Sequence, residues 1–149
     1  VEDYVKASVY ELPFEDGSFD HAISLNVFNH LEDVGKAISE LGRVTRQGST
    51  LLFNYGNLRS VYWPAARKIN RSRRAIGQDV LSVWHSPAEI DAHIKAAGLE
   101  QVTRLGNTHM PRALEKFHLG PVVALIDGIS RRGPLSRFAA FHFCLCRKL

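Results

Sequence analysis

The sequence predicts an α/β fold, and three features of its pattern carry that prediction. Phe19–Leu25 and Thr50–Tyr55 both have the composition of strands, and the second is an apolar run bounded by turn residues. Apolar residues recur at helical spacing between them, from residue 34 to residue 44. Strand, helix and strand within about 35 residues indicate a βαβ unit with a parallel sheet. Ser86–Glu89 then combines an N-cap serine, a proline at N1 and a glutamate at N3, which predicts the start of a further helix.

The first half of the chain has clear boundaries between its predicted elements. Val1–Ser8 has the pattern of a short strand, and Glu15–Ser18 has turn chemistry. Asp33 is placed to cap a helix that starts at Val34, and Gly48 is placed to end that helix in a left-handed C-cap. We therefore expect strand, turn, strand, helix and strand in that order.

The second half alternates helices and strands less regularly. A basic segment from Ser60 to Gln78 predicts one or two helices over the sheet edge or the mouth of an active site. The helix that begins at Ser86 is expected to end at Gly98. Three further elements are predicted after it: a strand at Leu99–Leu105, helical structure from Pro111 to Ile129 broken at Gly120-Pro121, and a final strand at Phe138–Arg147.

Composition and charge narrow the classes of protein that fit. The 149 residues are 45% hydrophobic and 23% charged, which suits one globular domain with a real core. The net charge of +4 is modest, so we expect no nucleic-acid partner, which would usually require a clearer basic stripe. No apolar run predicts a transmembrane helix, and Val1–Tyr10 lacks the pattern of a signal peptide. Because the first residue is Val1 rather than Met, we expect that an upstream segment was removed.

Two cysteines, Cys144 and Cys146, stand two apart in the predicted final strand and so face the same side. We interpret them as small hydrophobic residues of the core. A disulfide framework needs more cysteines, and no further ligands stand at metal-binding spacing, so we expect no metal. This usage fits a reducing compartment, and we expect the cytoplasm.

Five motifs between residues 8 and 57 resemble a known family. They are, in order, Ser8-Val9, Leu12–Phe14, Asp16–Asp20, Phe28–Leu31 and Arg43–Ser49. In their order and spacing they resemble the middle of small-molecule class I S-adenosylmethionine-dependent methyltransferases. The resemblance covers the C-terminal part of that family. The family's glycine-rich cofactor loop and its ribose-binding acidic residue have no counterpart in this sequence.

The resemblance implies a truncated Rossmann-like sheet. The family's seven strands lie in the order 3-2-1-4-5-7-6 with the last strand antiparallel, and this chain would supply strands 3, 4, 5, 6 and 7. Residues 1–149 would form one partial methyltransferase domain, with helical inserts near residues 58–82 and 110–137. Strand 3 would lack its neighbour, so Val1–Ser8 would be frayed or would pair directly with Phe19–Leu25.

The resemblance also implies S-adenosylmethionine as cofactor and places one part of its site after strand 3. Ser8 stands where the family has an acidic residue that faces the adenine amino group, and a serine oxygen can also accept that hydrogen bond. Val9 would present its backbone N–H to the adenine ring. Tyr10 could line the adenine slot or simply pack. An ordinary strand end is the alternative reading of Ser8.

The second implied part of the site follows strand 4. Leu25, Asn26 and Val27 would face the methionine end of the cofactor, since ligands sit outside the carboxyl ends of strands in open α/β sheets. Asn26 could instead be a helix N-cap. His30 aligns with a histidine of the family and could act as a general base or contact the substrate, or have a structural role.

We therefore expect methyl transfer to a small-molecule or lipid-like acceptor, carried out only by the full-length parent. The alternative is a non-catalytic remnant whose basic insert, Arg67–Arg74, binds an anionic partner. That insert holds five cations in eight residues and could meet phosphates or anionic lipid, although the interpretation that we favour is a solvated helix face. The acceptor atom and the oligomeric state do not follow from the sequence.

Overall fold

A five-stranded sheet flanked by helices organises the chain. The computed structural model describes residues 4–77, 82–107 and 120–149. Its strands are β1 (Phe19–Ser24), β2 (Thr45–Asn57), β3 (Trp84–His85), β4 (Leu99–Asn107) and β5 (Phe141–Lys148). Its helices are α1 (Val34–Val44), α2 (Trp63–Ala75), α3 (Pro87–Ala96) and α4 (Gly120–Ser130).

The sheet has the mixed topology that the family resemblance implies. The four longer strands lie in the order β1-β2-β5-β4, and the short β3 pairs with β2. β1 is parallel to β2, whereas β5 is antiparallel to both β2 and β4. This confirms the α/β prediction and the antiparallel last strand. The complete seven-stranded order stays a prediction.

The prediction of a strand at Val1–Ser8 is wrong for residues 4–8, which are the part of this segment that the structure describes. Residues 4–7 have no regular secondary structure, and Ser8 forms an isolated bridge to Glu11. Ser8 Oγ accepts from the Tyr10 N–H at 3.2 Å, so the chain turns here and does not run beside β1. Of the two expectations for this segment, pairing with β1 is therefore excluded for residues 4–8.

The capping residue that the sequence identifies marks the start of α1 correctly, but the predicted end of α1 is wrong. The Asp33 carboxylate accepts from the Lys36 N–H at 2.8 Å, as the sequence predicts for an N-cap. α1 ends at Val44, before Gly48, so Gly48 is not its C-cap. Gly48 does have the left-handed backbone, with φ of +79°, but it lies where the β1–β2 register slips.

The other helix start and the final strand follow the same pattern. A capping box joins Ser86 and Glu89 at the start of α3, as predicted, and the Ser86 N–H donates to Glu89 Oε2 at 3.3 Å. The final strand begins at Phe141 rather than Phe138, because Pro134–Phe138 forms a 3₁₀ turn. The helical structure predicted from Pro111 lies partly outside the described residues, and its described part is α4.

The core lies between the sheet and the helices α1 and α3. Alternate residues of β2, namely Leu51, Phe53 and Tyr55, are fully buried in it. Phe28 stacks on Phe53 with ring centroids 4.8 Å apart. This packing ties the segment after β1 to the central strand of the sheet.

Both predicted inserts leave the same edge of the sheet. Phe141, the first residue of β5, pairs with Gly56 near the end of β2 and with Asn107 at the end of β4. α2 therefore departs from the carboxyl ends of the parallel strands, and α4 returns to that edge. This edge is the one at which α/β folds bind their ligands. Among the described residues, no helix is long and apolar enough to cross a bilayer.

Candidate functional site

A pair of asparagines shapes the carboxyl end of β1. The Asn26 N–H donates to Asn54 Oδ1 at 2.7 Å, and Asn54 Nδ2 donates to Asn26 Oδ1 at 3.1 Å. Asn54 is buried in β2, whereas Asn26 is exposed and has a left-handed φ of +60°. Asparagine tolerates that conformation better than most residues. The pair therefore holds a turn at the strand end in a defined and slightly strained shape.

The sequence prediction includes Asn26 in the candidate site but does not include Asn54. Asn54 interrupts the apolar stretch of β2 close to its carboxyl end, and a buried polar residue in a strand needs a partner. That interruption was the available signal. The neighbouring residues Leu25 and Val27 are exposed at the same strand end, as expected for residues that face a ligand.

Two residues of α1 hold the loop that contains Ser8, Val9 and Tyr10. The Arg43 guanidinium donates to the carbonyl oxygens of Leu12 at 3.0 Å and Phe14 at 2.8 Å. It also pairs with Glu40 Oε1 at 2.7 Å, while that same oxygen accepts from the Leu12 N–H at 2.8 Å. The Arg43 hydrogen bond holds the pKa of Glu40 below its usual value. The Leu12–Phe14 motif and the arginine of α1 thus form one structural unit.

Tyr10 connects this loop to the segment after β1. Its hydroxyl accepts from the Asp33 N–H at 3.4 Å, and Val9 and Tyr10 both pack on the core. Ser8 is exposed and makes its contacts within its own turn. The structure thus brings Tyr10 to the helix start that follows Leu25–Val27, while Ser8 stays on the solvent side.

His30 ends a 3₁₀ turn over residues Phe28–His30. Its N–H donates to the Val27 carbonyl at 2.9 Å, and its side chain is exposed. The turn is anchored by buried Phe28, so His30 is presented at the carboxyl edge beside Asn26. This position suits a group that contacts a substrate.

An aromatic group at the same edge was not predicted. Trp84 of β3 lies 5.9 Å from Trp63 of α2 and 6.0 Å from Phe141 of β5, measured between ring centroids. Gly56 lies under Trp84, where an added β-carbon would come within 3.2 Å of the indole. The three rings come from three distant parts of the chain, so sequence spacing carries no signal for them.

One polar atom next to this group has no hydrogen-bond partner among the described residues. It is the buried side-chain oxygen of Asn29, which lies 3.3 Å from the position of a β-carbon on Gly56. A buried acceptor without a donor is costly, and such groups concentrate at functional sites.

A buried tyrosine–histidine pair lies deeper in the sheet. His142 Nε2 faces the Ser136 carbonyl at 2.9 Å and must donate to it, so Nδ1 accepts from the Tyr55 hydroxyl at 2.9 Å. Burial raises the pKa of Tyr55. Both side chains are buried, so the pair links β2, β5 and the 3₁₀ turn rather than meeting a ligand.

The two cysteines have the structural role that the sequence predicts. Both are free thiols buried in the core, and burial raises the pKa of Cys146 to about 12. Across residues 4–77, 82–107 and 120–149, no cluster of three or more histidine, cysteine, aspartate or glutamate side chains could hold a metal ion.

Comparisons with known proteins agree with this architecture. The family described as a methyltransferase domain matches residues 1–53. The 27-O-demethylrifamycin SV methyltransferase of Amycolatopsis mediterranei is 32% identical over 143 residues, which cover 91% of this chain and 52% of that protein. An uncharacterized methyltransferase of Mycobacterium sp. (strain JLS) is 44% identical over 52 residues, covering 35% of this chain and 21% of that protein.

A solved structure has the same fold. The S-adenosylmethionine-dependent methyltransferase of Thermotoga maritima superposes with a TM-score of 0.70 at 17% identity. The superposition covers 97% of this chain and 63% of that one. Together, the sequence matches and the shared fold support a class I S-adenosylmethionine-dependent methyltransferase. It spans about half the length of the rifamycin-modifying relative, at 52%.

Proposed function

We propose that this chain forms the acceptor-side part of an enzyme that transfers a methyl group from S-adenosylmethionine to a small-molecule or lipid-like acceptor. One observation carries the proposal: the Asn26–Asn54 pair fixes a left-handed turn at the carboxyl end of β1, between Tyr10 and His30. This is the edge at which the fold binds ligands, and the geometry there is specified by hydrogen bonds between the buried Asn54 and the exposed Asn26. Family membership supplies the methyl-transfer chemistry.

The residues present fit one side of the cofactor. Val9 and Tyr10 are half-buried on the core and could border the adenine, with the exposed Ser8 oxygen beside them. Leu25, Asn26 and Val27 would border the methionine end. The Asn26 Nδ2 group is not used in the pair with Asn54, so it can donate to a ligand. Contacts to the ribose and the methionine carboxylate would come from segments that this sequence lacks.

Bound S-adenosylmethionine supplies an electrophilic methyl group on a sulfonium sulfur. The chain's own contribution is then to orient the acceptor in line with that methyl group. His30 is exposed at the right edge to accept a proton from the acceptor or to hold it. We therefore propose His30 as the catalytic residue, and Asn54 as the residue that positions Asn26.

The aromatic group suggests the class of acceptor. Trp63, Trp84 and Phe141 form a half-buried apolar wall, and the Asn29 side-chain oxygen beside it can accept one hydrogen bond. An acceptor with a flat or greasy body and one donor group would satisfy both features. The free, buried cysteines support the reducing cytoplasm as its setting.

A second candidate function is non-catalytic binding of an anionic partner. Its supporting observation is the exposed basic side chains of α2. In that case the carboxyl edge of β1 would have no ligand, and the basic insert alone would account for the chain's activity.

Calorimetric titration with S-adenosylhomocysteine distinguishes the two functions. The proposal predicts saturable one-to-one binding that weakens about tenfold in Asn26→Gly, which removes the amide but keeps the left-handed backbone. Gln47→Ala, at an exposed position near the opposite end of β2, is the matched control and should bind as the wild type does. Binding that is as strong in Asn26→Gly as in the wild type would contradict the proposed cofactor contacts, whereas absence of binding in a chain that melts cooperatively would show that these contacts do not suffice by themselves.

A further inference from the structure

The charges of this chain are strongly segregated along the sequence. Residues 58–77 and 128–140 hold nine of the 19 basic residues and none of the 15 acidic ones. The rest of the chain is therefore net negative, although the whole chain carries +4. This segregation of charge gives one part of the molecule a positive electrostatic potential, although the net charge of the whole chain is modest.

Both basic segments lie at one end of the molecule. The first contains α2 and follows the end of β2, and the second follows α4 and leads into β5. The register that pairs Gly56, Phe141 and Asn107 brings these strand ends together. The basic residues therefore belong to two segments that adjoin the carboxyl edge. Those that the structure shows as exposed are Arg59, Arg67, Lys68, Arg71, Arg73, Arg131, Arg132 and Arg137.

Exposed aliphatic side chains are interspersed among these cations. On α4, Val122, Leu125 and Ile129 lie on one helix face and are 50%, 62% and 71% exposed. On and just after α2, Ile69 and Ile76 are seven apart, so they point to one side and both are exposed. Leu135 in the 3₁₀ turn adds to the set. Several large aliphatic side chains exposed on neighbouring segments are typical of an interaction surface.

We infer that this end of the molecule, termed the insert face, binds the surface of an anionic lipid bilayer. The insert face comprises α2 with Ile76, α4 and residues 131–138, which together hold eight basic residues and one acidic residue, Asp127. Cations attract the acidic headgroups, and aliphatic side chains enter the boundary between headgroups and acyl chains. The phosphates of a nucleic acid would bind the cations, but they would not bind the exposed aliphatic side chains. The surface lies around the candidate site, yet the inference does not depend on methyl transfer.

Vesicle sedimentation tests the inference directly. The full chain is mixed with phosphatidylcholine vesicles that contain or lack phosphatidylglycerol, and the bound fraction is measured at low and high salt. We expect binding to the anionic vesicles, weakened by salt. The double variant Arg67→Glu/Arg71→Glu should bind at least about 25-fold more weakly, since each cation near the surface contributes about fivefold and each added glutamate is repelled by the anionic headgroups. Leu125→Glu should also reduce binding, because it places a charge on the apolar face.

The matched control reverses two cations at the opposite end of the molecule. Lys95 in the last turn of α3 and Arg147, which pairs with Thr50, are both exposed there. Lys95→Glu/Arg147→Glu should bind within about twofold of the wild type, since those positions lie away from the surface by more than the screening length. All variants are checked for an unchanged thermal melt.

Three results would overturn the inference. Equal binding to both kinds of vesicle would exclude recognition of anionic headgroups. An equal loss in the control double variant would show a general charge effect without a defined face. Binding of a labelled oligonucleotide that needs Arg67 and Arg71 but is indifferent to Leu125→Glu, without vesicle binding, would identify nucleic acid as the partner.

Discussion

Replacing Asn54 tests whether the asparagine pair shapes the carboxyl end of β1. Asn54→Leu keeps the approximate size of the buried side chain but removes both hydrogen bonds to Asn26, of 2.7 and 3.1 Å. Each such bond contributes about 0.5–1.5 kcal/mol net, so we expect the free energy of unfolding to fall by about 1–3 kcal/mol. Urea unfolding followed by tryptophan fluorescence measures this, because Trp63 and Trp84 both lie at the same edge.

Substitutions at Asn26 separate the hydrogen bond from the backbone conformation. Asn26→Gly loses the side-chain bond but removes the strain of a φ of +60°, and these effects should roughly cancel. Asn26→Ala loses the same bond and keeps the strain, so it should be about 1–2 kcal/mol less stable than Asn26→Gly. The double variant Asn54→Leu/Asn26→Gly completes a cycle with an expected coupling of about 0.5–1.5 kcal/mol.

The reasoning is refuted if Asn54→Leu unfolds within about 0.3 kcal/mol of the wild type and the cycle shows no coupling. Equal stabilities of Asn26→Gly and Asn26→Ala would show that the left-handed turn does not persist in solution. In either case the carboxyl end of β1 would lack the fixed geometry on which the proposed function rests.

Other predictions concern sites away from this pair. Gly106→Ala should destabilise the chain more than Gly35→Ala. An added β-carbon at Gly106 meets the backbone of the 3₁₀ turn at 2.9 Å, whereas at Gly35 it meets a histidine side chain that can move. Equal melting temperatures of the two variants would contradict this. Cys146, with a pKa raised to about 12 by burial, should react with a thiol reagent such as dithionitrobenzoate only after denaturation, and rapid labelling of the native chain would be the contrary result. Glu40→Gln should lower the free energy of unfolding at neutral pH and change it much less at about pH 3. The reason is that Arg43 lowers the pKa of the Glu40 carboxylate in the folded chain. Such a group stabilises the fold above its unfolded pKa and loses that effect as the pH falls through its folded pKa. A destabilisation that is independent of pH would assign the loss to packing instead.

Part of the candidate site followed from motifs, and part did not. Asn26 and His30 were predicted because the family resemblance aligns single residues at a strand end. Asn29 lies within the Phe28–Leu31 motif, but only the packing places its buried oxygen beside Gly56. The clamp of Arg43 on the Leu12–Phe14 loop joins two motifs that the sequence presents about 30 residues apart. The roles of the individual site residues stay predictions.

The sequence by itself determined the class of fold and the starts of the helices. The βαβ periodicity, the Asp33 cap and the Ser86–Glu89 capping box are local signals, and each operates within about one helical turn. Only the tertiary structure decided whether the segment before Ser8 pairs, where α1 ends, and which side chains meet at the carboxyl edge. Strand pairing and the contacts of Asn54, Trp84 and Phe141 join residues far apart in the chain, so no local pattern encodes them. Their energies depend on neighbours that exist only once the chain has folded.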